Sequence, residues 1–322
     1  MNKIYTGILS AVCLDGSPPA YHYAKGFGEG ASNWMVYLEG GGWCKSEDTC
    51  YSKVQNQGPG MGNSYKKGNQ TAFDGILSPS QTMNPNVKIH RRGARVFKAI
   101  MEDLLAKGMR NANNAILAGN SAGGLATILH CDGFRALIPN AARLKCIADA
   151  ALFIRGKDLP GAADKRELSF ATIVAFHGID NFLPKSCTSK MDPGLCIFPE
   201  NLLGDIQTPI FLLNSAFDSL QVSSCFFQNL LLELNSYILC IHFRTTLLKT
   251  IPEDHSSSRG IFIDSCYYHD QIYFNPKWIG PTSPKLNNKT MSEAVGDWYF
   301  DRSSFQEIDM ENDFPRDCTR DT

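Results

Sequence analysis

The stretch NAILAGNSAGGLATILH, residues 114–130, restricts the fold more than any other part of this chain. Ala115 to Ala118 is a short apolar run bounded by Gly119 and reads as a buried strand. Leu125 to Cys131 is helix-compatible. Between them Gly119, Ser121 and Gly123 fill the pattern G-x-S-x-G. In a strand–turn–helix unit of this kind the serine sits on strained backbone with its hydroxyl clear of the sheet. Its neighbours must be small because strand and helix nearly touch. The helix N-terminus beneath the turn favours the negative charge that develops in acyl transfer. Ser121 is therefore a candidate nucleophile, and the alternative is a Gly-rich turn that merely contains a serine.

A second stretch has the same form. In NWMVYLEGGGWC, residues 33–44, Met35 to Leu38 reads as a strand and three glycines follow at once. Consecutive glycines let backbone N–H groups turn toward a ligand, as in the oxyanion loops of esterases. Beside Ser121 the loop predicts an oxyanion pocket with donors at Gly42, Trp43 and Ala122. The alternative is a plain turn closed by Cys44 and Cys50.

Further elements alternate in type. Val96–Lys107 reads as an amphipathic helix ended by Gly108. Ala148–Ile154 reads as a strand, Phe170–Phe176 as helix, Pro209–Asn214 as a strand, and Phe226–Thr250 as one or two helices. Lys45–Asn86 reads as loops with short helical pieces, and no good strand appears between Leu38 and Ala115. Such alternation predicts an α/β fold with a mostly parallel sheet flanked by helices, whose ligands gather at the carboxyl ends of the strands. No linker divides the 322 residues, so a single domain over 1–322 is expected.

Composition excludes other classes. A formal net charge of −1 leaves no basic footprint for nucleic acid. No apolar stretch approaches the ~18 residues of a membrane span. The eleven cysteines form no C-x-x-C pair, so no metal site is expected. Cys44/Cys50, Cys131/Cys146 and Cys187/Cys196 are near enough in sequence to close small loops, with connectivity left open. The odd count leaves at least one thiol unpaired. With the sequons at Asn69 and Asn288 the cysteines favour an oxidising, secretory setting. Residues 1–13, MNKIYTGILSAVC, lack the pattern of a full signal peptide, so either the chain is cytosolic or its precursor starts elsewhere.

A serine nucleophile needs a base, and the base an orienting carboxylate, in the chain order Ser, Asp or Glu, His. Asp218 lies four residues past the PIFLLN strand, where an acid loop belongs; Asp149 and Asp180 are rivals, and Asp149 reads as structural. Of the histidines after Asp218, His242 sits within a probable helix, which leaves His255 and His269. His269 comes just after a β-like run and a cysteine that can pin its loop, whereas His255 sits in a serine-rich stretch.

The segments AVCLDGSPPAYHY, LEGGGWC, RGARVFKAIMEDLLAKGM, GNSAGGLATILHCD, SSSRGIFIDSCYYH and AVGDWYFDRSSFQ, spread between about Ala11 and Asp309, resemble the plant pectin acetylesterase family. The animal carboxylesterase Notum is similar at a greater distance. The resemblance implies an α/β-hydrolase-like fold, secretion to the cell wall, removal of acetyl esters from pectin or another acetylated polysaccharide, and no cofactor. It carries the triad onto Ser121, Asp218 and His269 and the oxyanion loop onto Gly41, Gly42 and Trp43. The chain departs from the family pattern with Asn120 and Asp270 where cysteines are usual, and with a shorter, divergent Asp218–Pro252 region. A shortened segment before Arg91 also lacks a strand and loop that the family places next to the catalytic serine. Two other readings follow from that loss and from the Notum likeness: an impaired homologue that binds wall polysaccharide without turnover, and a lipid-ester hydrolase.

Overall fold

The computed structural model describes residues 2–3, 18–56, 94–155, 163–222, 233–252, 258–273 and 275–318. Six strands form one sheet: β1 (Asn33–Leu38), β2 (Asn114–Asn120), β3 (Arg143–Asp149), β4 (Ile210–Ser215), β5 (Arg259–Asp264) and β6 (Gln306–Ile308). Every neighbouring pair is parallel, and the spatial order follows the chain order from β1 to β6.

Parallel strands need crossovers, and helices supply them. The helices are α1 (Glu47–Asn56), α2 (Ala94–Ala106), α3 (Ala122–Leu137), α4 (Ala163–His177), α5 (Lys185–Thr188), α6 (Glu233–Leu248), α7 (Asn275–Trp278) and α8 (Met291–Tyr299). In α2, Phe97, Ile100, Met101 and Leu104 recur at the spacing of one helix face, and all four are buried. A capping box starts α8, where the Thr290 hydroxyl accepts the Glu293 N–H and the Glu293 carboxylate accepts the Thr290 N–H.

The period-two alternation of the strands divides the core between the two faces. Trp34, Val36, Leu117, Leu144, Leu212 and Ile261 face one side and pack with Ile100, Leu104, Ile128, Phe134 and Phe243. Met35, Tyr37, Ile116, Ile147, Phe211 and Phe262 face the other and pack with Trp278, Met291 and Trp298. With both faces covered, the strands read as near-continuous apolar runs.

Disulfides join Cys44–Cys50, Cys131–Cys146 and Cys187–Cys196, the three locally spaced pairs, and also Cys266–Cys318 across 52 residues. Cys240 is disulfide-bonded as well. Asn288 lies exposed in the two-residue turn between the short strands Lys285–Leu286 and Lys289–Thr290; Asn69 lies outside the described residues.

Two expectations need correction. The strand expected over Ala148–Ile154 is shifted: β3 ends at Asp149, Ala150 turns off the sheet at φ 49°, and Ala151–Ile154 is buried chain outside the sheet. Loss of a family strand was also expected to leave a gap beside the strand that carries Ser121. That strand, β2, already has β1 on one side and β3 on the other, so both its edges are paired. Any additional strand belongs elsewhere. The shortened segment itself lies outside the described residues.

Candidate active site

Strand β2 delivers the chain to Ser121, and α3 leaves immediately after it. Ser121 has φ 54° and ψ −124°, a conformation that costs a non-glycine residue on the order of 1–3 kcal/mol. Two backbone bonds hold it there: its N–H donates to the Asp149 carbonyl at 2.8 Å, and its own carbonyl accepts the Leu125 N–H at 2.9 Å. The glycines around it follow from close approach. A Cβ on Gly123 would lie 1.9 Å from the Leu38 carbonyl oxygen, and one on Gly119 would lie 2.4 Å from that of Gly123.

From the ends of β4 and β5 come the other two members. Asp218 is fully buried in the turn after β4, where its Oδ1 also accepts the Leu220 N–H at 2.9 Å. His269 follows β5 on a segment that the Cys266–Cys318 disulfide ties down. Its Nδ1 lies 2.8 Å and 2.9 Å from the two Asp218 oxygens, and its Nε2 lies 2.7 Å from Ser121 Oγ. With Asp218 ionised, Nδ1 carries the proton and donates to it, so Nε2 accepts from the serine hydroxyl. An imidazole held this way can take a hydroxyl proton and stay stabilised as a cation.

Asp180 is exposed in the turn beyond α4, and His255 lies outside the described residues. Asp149 is fully buried and has a different task. Its carbonyl holds Ser121, while its Oδ2 accepts the Gln271 and Ile272 N–H groups at 2.8 Å and 2.9 Å. One residue thus ties the serine turn to the loop of His269. Reading Asp149 as structural anticipated this in kind, without its partners.

Past β1, the glycine run starts at Gly40, where a Cβ would lie 3.0 Å from Ser121 Cβ, so loop and serine turn are in contact. Gly42 has φ 65°, which favours glycine. Ala122 opens α3, so its N–H is among those a helix leaves without an intrahelical acceptor. Trp43 packs edge-on against Phe153 and Phe170, with ring centroids 5.0 Å and 5.3 Å away, and Phe153 lies 6.3 Å from the His269 ring. These rings make an apolar wall beside the imidazole. Sequence reasoning missed Phe153 because it counted the residue as strand, and Phe170 because it read the residue only as helix.

Cys44, Cys50 and His177 come close enough to suggest a metal cluster, but the two cysteines are disulfide-bonded and offer no thiolate.

Burial pulls the His269 pKa down, but the Asp218 hydrogen bond and charge, with the charges of Asp270 and Asp149, raise it above its ordinary 6.5. Asp270 Oδ1 lies 3.7 Å from His269 Nε2. Asp149 is itself pushed up to about 7 by burial, while Lys277 adds positive charge near Asp149 and Asp270. A base must be neutral to accept a proton, so a raised pKa keeps the inactive cation populated to higher pH. The kcat/KM profile is expected to rise through an acid limb above pH 6.5 that reports this coupled set. Asp270→Asn removes a negative charge beside the imidazole and is expected to move that limb to lower pH. A limb that stays in place or moves up would contradict the assignment.

A serine at the sharp turn between a parallel strand and a helix, at the carboxyl end of a sheet covered on both faces, defines the α/β-hydrolase-like class of fold. The pectinacetylesterase family model matches residues 6–88 and 82–320, and the chain belongs to the pectin acetylesterase family. Pectin acetylesterase 7 of Arabidopsis thaliana is 40% identical over 342 residues, covering 93% of this chain and 86% of the relative. Pectin acetylesterase 11 of the same plant is 39% identical over the same shares. Palmitoleoyl-protein carboxylesterase notum2 of Xenopus laevis is 25% identical, covering 65% of this chain and 50% of the relative. The first alignment has 342 positions but spans 93% of 322 residues, about 299, so roughly 43 positions face no residue here. The two matched segments of the family model overlap at residues 82–88, just before Arg91.

Proposed function

We propose that the protein is a serine carboxylesterase that removes acetyl groups from pectin, with Ser121 as nucleophile, His269 as base and Asp218 as orienting acid. The single observation that carries this reading is the continuous hydrogen-bonded line from the Asp218 carboxylate through His269 to Ser121 Oγ. Ser121 Oγ attacks the acetyl carbon as His269 Nε2 takes its proton. The N–H groups of the Gly41–Gly42–Trp43 loop and of Ala122 receive the oxyanion. The carbon–oxygen bond to the sugar then breaks, and His269 returns the proton to the departing sugar hydroxyl. Water, deprotonated by the same imidazole, cleaves the acetyl-serine to acetate.

No step needs a metal or cofactor. The wall of Trp43, Phe153 and Phe170 suits a small apolar acyl group. The far closer similarity to plant pectin acetylesterases than to Notum favours acetyl over long-chain esters, and a complete triad geometry speaks against a binding-only homologue. The disulfides favour a secreted protein acting at the wall, since such bonds persist in oxidising compartments. A single domain over 1–322 accords with the family match.

The test is acetate release from acetylated pectin, with synthetic esters of increasing chain length in parallel. Acetate release and a fall in kcat/KM from acetyl to longer esters are expected. Cleavage of long-chain esters alone would sink the acetylesterase reading.

A further inference from the structure

The proposed oxyanion pocket is built from two different strands. One set of donors lies on the loop after β1, and the other starts α3 after β2. The two strands pair in register up to Leu38 and Gly119. Past that pair the sheet ladder no longer sets the distance between the chains, yet the pocket needs that distance fixed to a fraction of an ångström.

Asn120 occupies this gap. It is the residue before Ser121, is 6% exposed, and points its side chain at the other strand. Its Oδ1 accepts the Gly40 N–H at 2.9 Å and the Tyr37 hydroxyl at 2.9 Å. Gly40 begins the glycine run that leads to Gly42 and Trp43. Its backbone also packs on the serine turn, since an added Cβ would lie 3.0 Å from the Asn120 carbonyl oxygen and 3.1 Å from Asn120 Nδ2. The bond and the contact together leave the loop one position relative to Ser121.

We propose that Asn120 is a positioning residue for the oxyanion pocket, locking the Gly40–Trp43 loop to the serine turn so that donors from both strands converge on one point. This rests on Ser121 being the nucleophile. A side chain without an oxygen at this position would leave the Gly40 N–H without this acceptor and free the loop to shift. A displacement near 1 Å in such a pocket costs on the order of 10²-fold in rate, and loss of one oxyanion donor costs about 10²–10³-fold.

The experiment uses the full chain with p-nitrophenyl acetate. Asn120→Leu removes the acceptor at similar volume, Asn120→Ala removes it without steric load, and Asn120→Asp keeps an oxygen in place. Both apolar variants are expected to lose about 10- to 100-fold in kcat with KM within about twofold, because the lost interaction acts on the transition state. Asn120→Asp is expected to recover most of the loss. Affinity for a trifluoromethyl ketone, which adds to a serine as a tetrahedral oxyanion, should weaken by the same factor as kcat in the apolar variants. Thermal melting identifies any variant that fails to fold, and the other apolar variant then carries the comparison.

Wild-type kcat in a folded apolar variant overturns the proposal. So does a kcat loss with unchanged ketone affinity, or an Asn120→Asp variant as impaired as Asn120→Leu. Ser121→Ala runs alongside. If it stays active, the nucleophile reading falls and takes this proposal with it. If it is inactive while Asn120→Leu is fully active, only the positioning role falls.

Discussion

Ser121→Ala is expected to reduce ester hydrolysis by on the order of 10⁴-fold or more while the protein stays folded. The size of the loss follows from the arrangement. Without Oγ, His269 has no proton to take at Nε2 and no covalent acetyl intermediate can form, so only the oxyanion donors and substrate binding remain. The fold is spared because the hydroxyl contributes little to the core. Ser121 is 4% exposed, yet its backbone is held by the Asp149 carbonyl and the Leu125 N–H, which alanine retains. Alanine must still adopt φ 54°, so the strain at this turn persists. Acetate release per folded molecule and a thermal melt check both halves. A variant with more than a few per cent of wild-type turnover would remove Ser121 from the mechanism.

The serine turn was legible in the sequence because its geometry is a local requirement. A strand and a helix that meet within contact distance admit only glycine and alanine at the crossing, and the pattern from Gly119 to Gly124 states this directly. The glycine loop was legible for the same reason. The partners were less so: His269 lies 148 residues from Ser121 and 51 from Asp218 in sequence, and only the sheet brings them together. Chain order left His255 open as an alternative base. The disulfide that ties down the His269 segment joins cysteines 52 residues apart, beyond what local spacing reveals.

The misplaced strand had a different cause. Ala150–Ile154 is uniformly apolar, and burial rather than strand pairing explains that composition. A short apolar run carries no periodicity to tell buried strand from buried loop. The gap expected beside the strand of Ser121 failed on topology. Sequence suggested that a segment was short but not which edge of the sheet that segment would serve. Because β1 and β3 pair both edges of β2, the shortening leaves the serine strand's hydrogen bonds intact. The unpaired-strand part of the argument for an impaired enzyme loses its basis at that point, and acetate release decides the part that rests on the missing loop.

Two glycines on one helix should respond to the same substitution with opposite signs. Gly123 and Gly133 both belong to α3. A Cβ on Gly133 would meet nothing within 4 Å, so Gly133→Ala adds helix propensity without a clash. It is expected to stabilise the protein by about 0.5–1 kcal/mol and leave activity unchanged. At Gly123 the added carbon would lie 1.9 Å from the Leu38 carbonyl oxygen, 2.5 Å from its carbonyl carbon and 2.9 Å from the Glu39 carbonyl carbon. All three are backbone atoms at the end of β1, so no side chain can rotate away. Either α3 lifts off the sheet or β1 moves outward, and both displace the Gly40–Trp43 loop from Ser121. Overpacking of this kind costs about 1–3 kcal/mol, and a shift near 1 Å costs about 10²-fold in rate. Gly123→Ala is therefore expected to melt several degrees lower and to lose at least that factor in kcat. The loss should exceed what its unfolded fraction explains. Melting curves and kcat/KM for the two variants, measured side by side, decide the point. A Gly123→Ala protein as stable and active as Gly133→Ala would mean that strand and helix do not approach as closely as the serine turn requires.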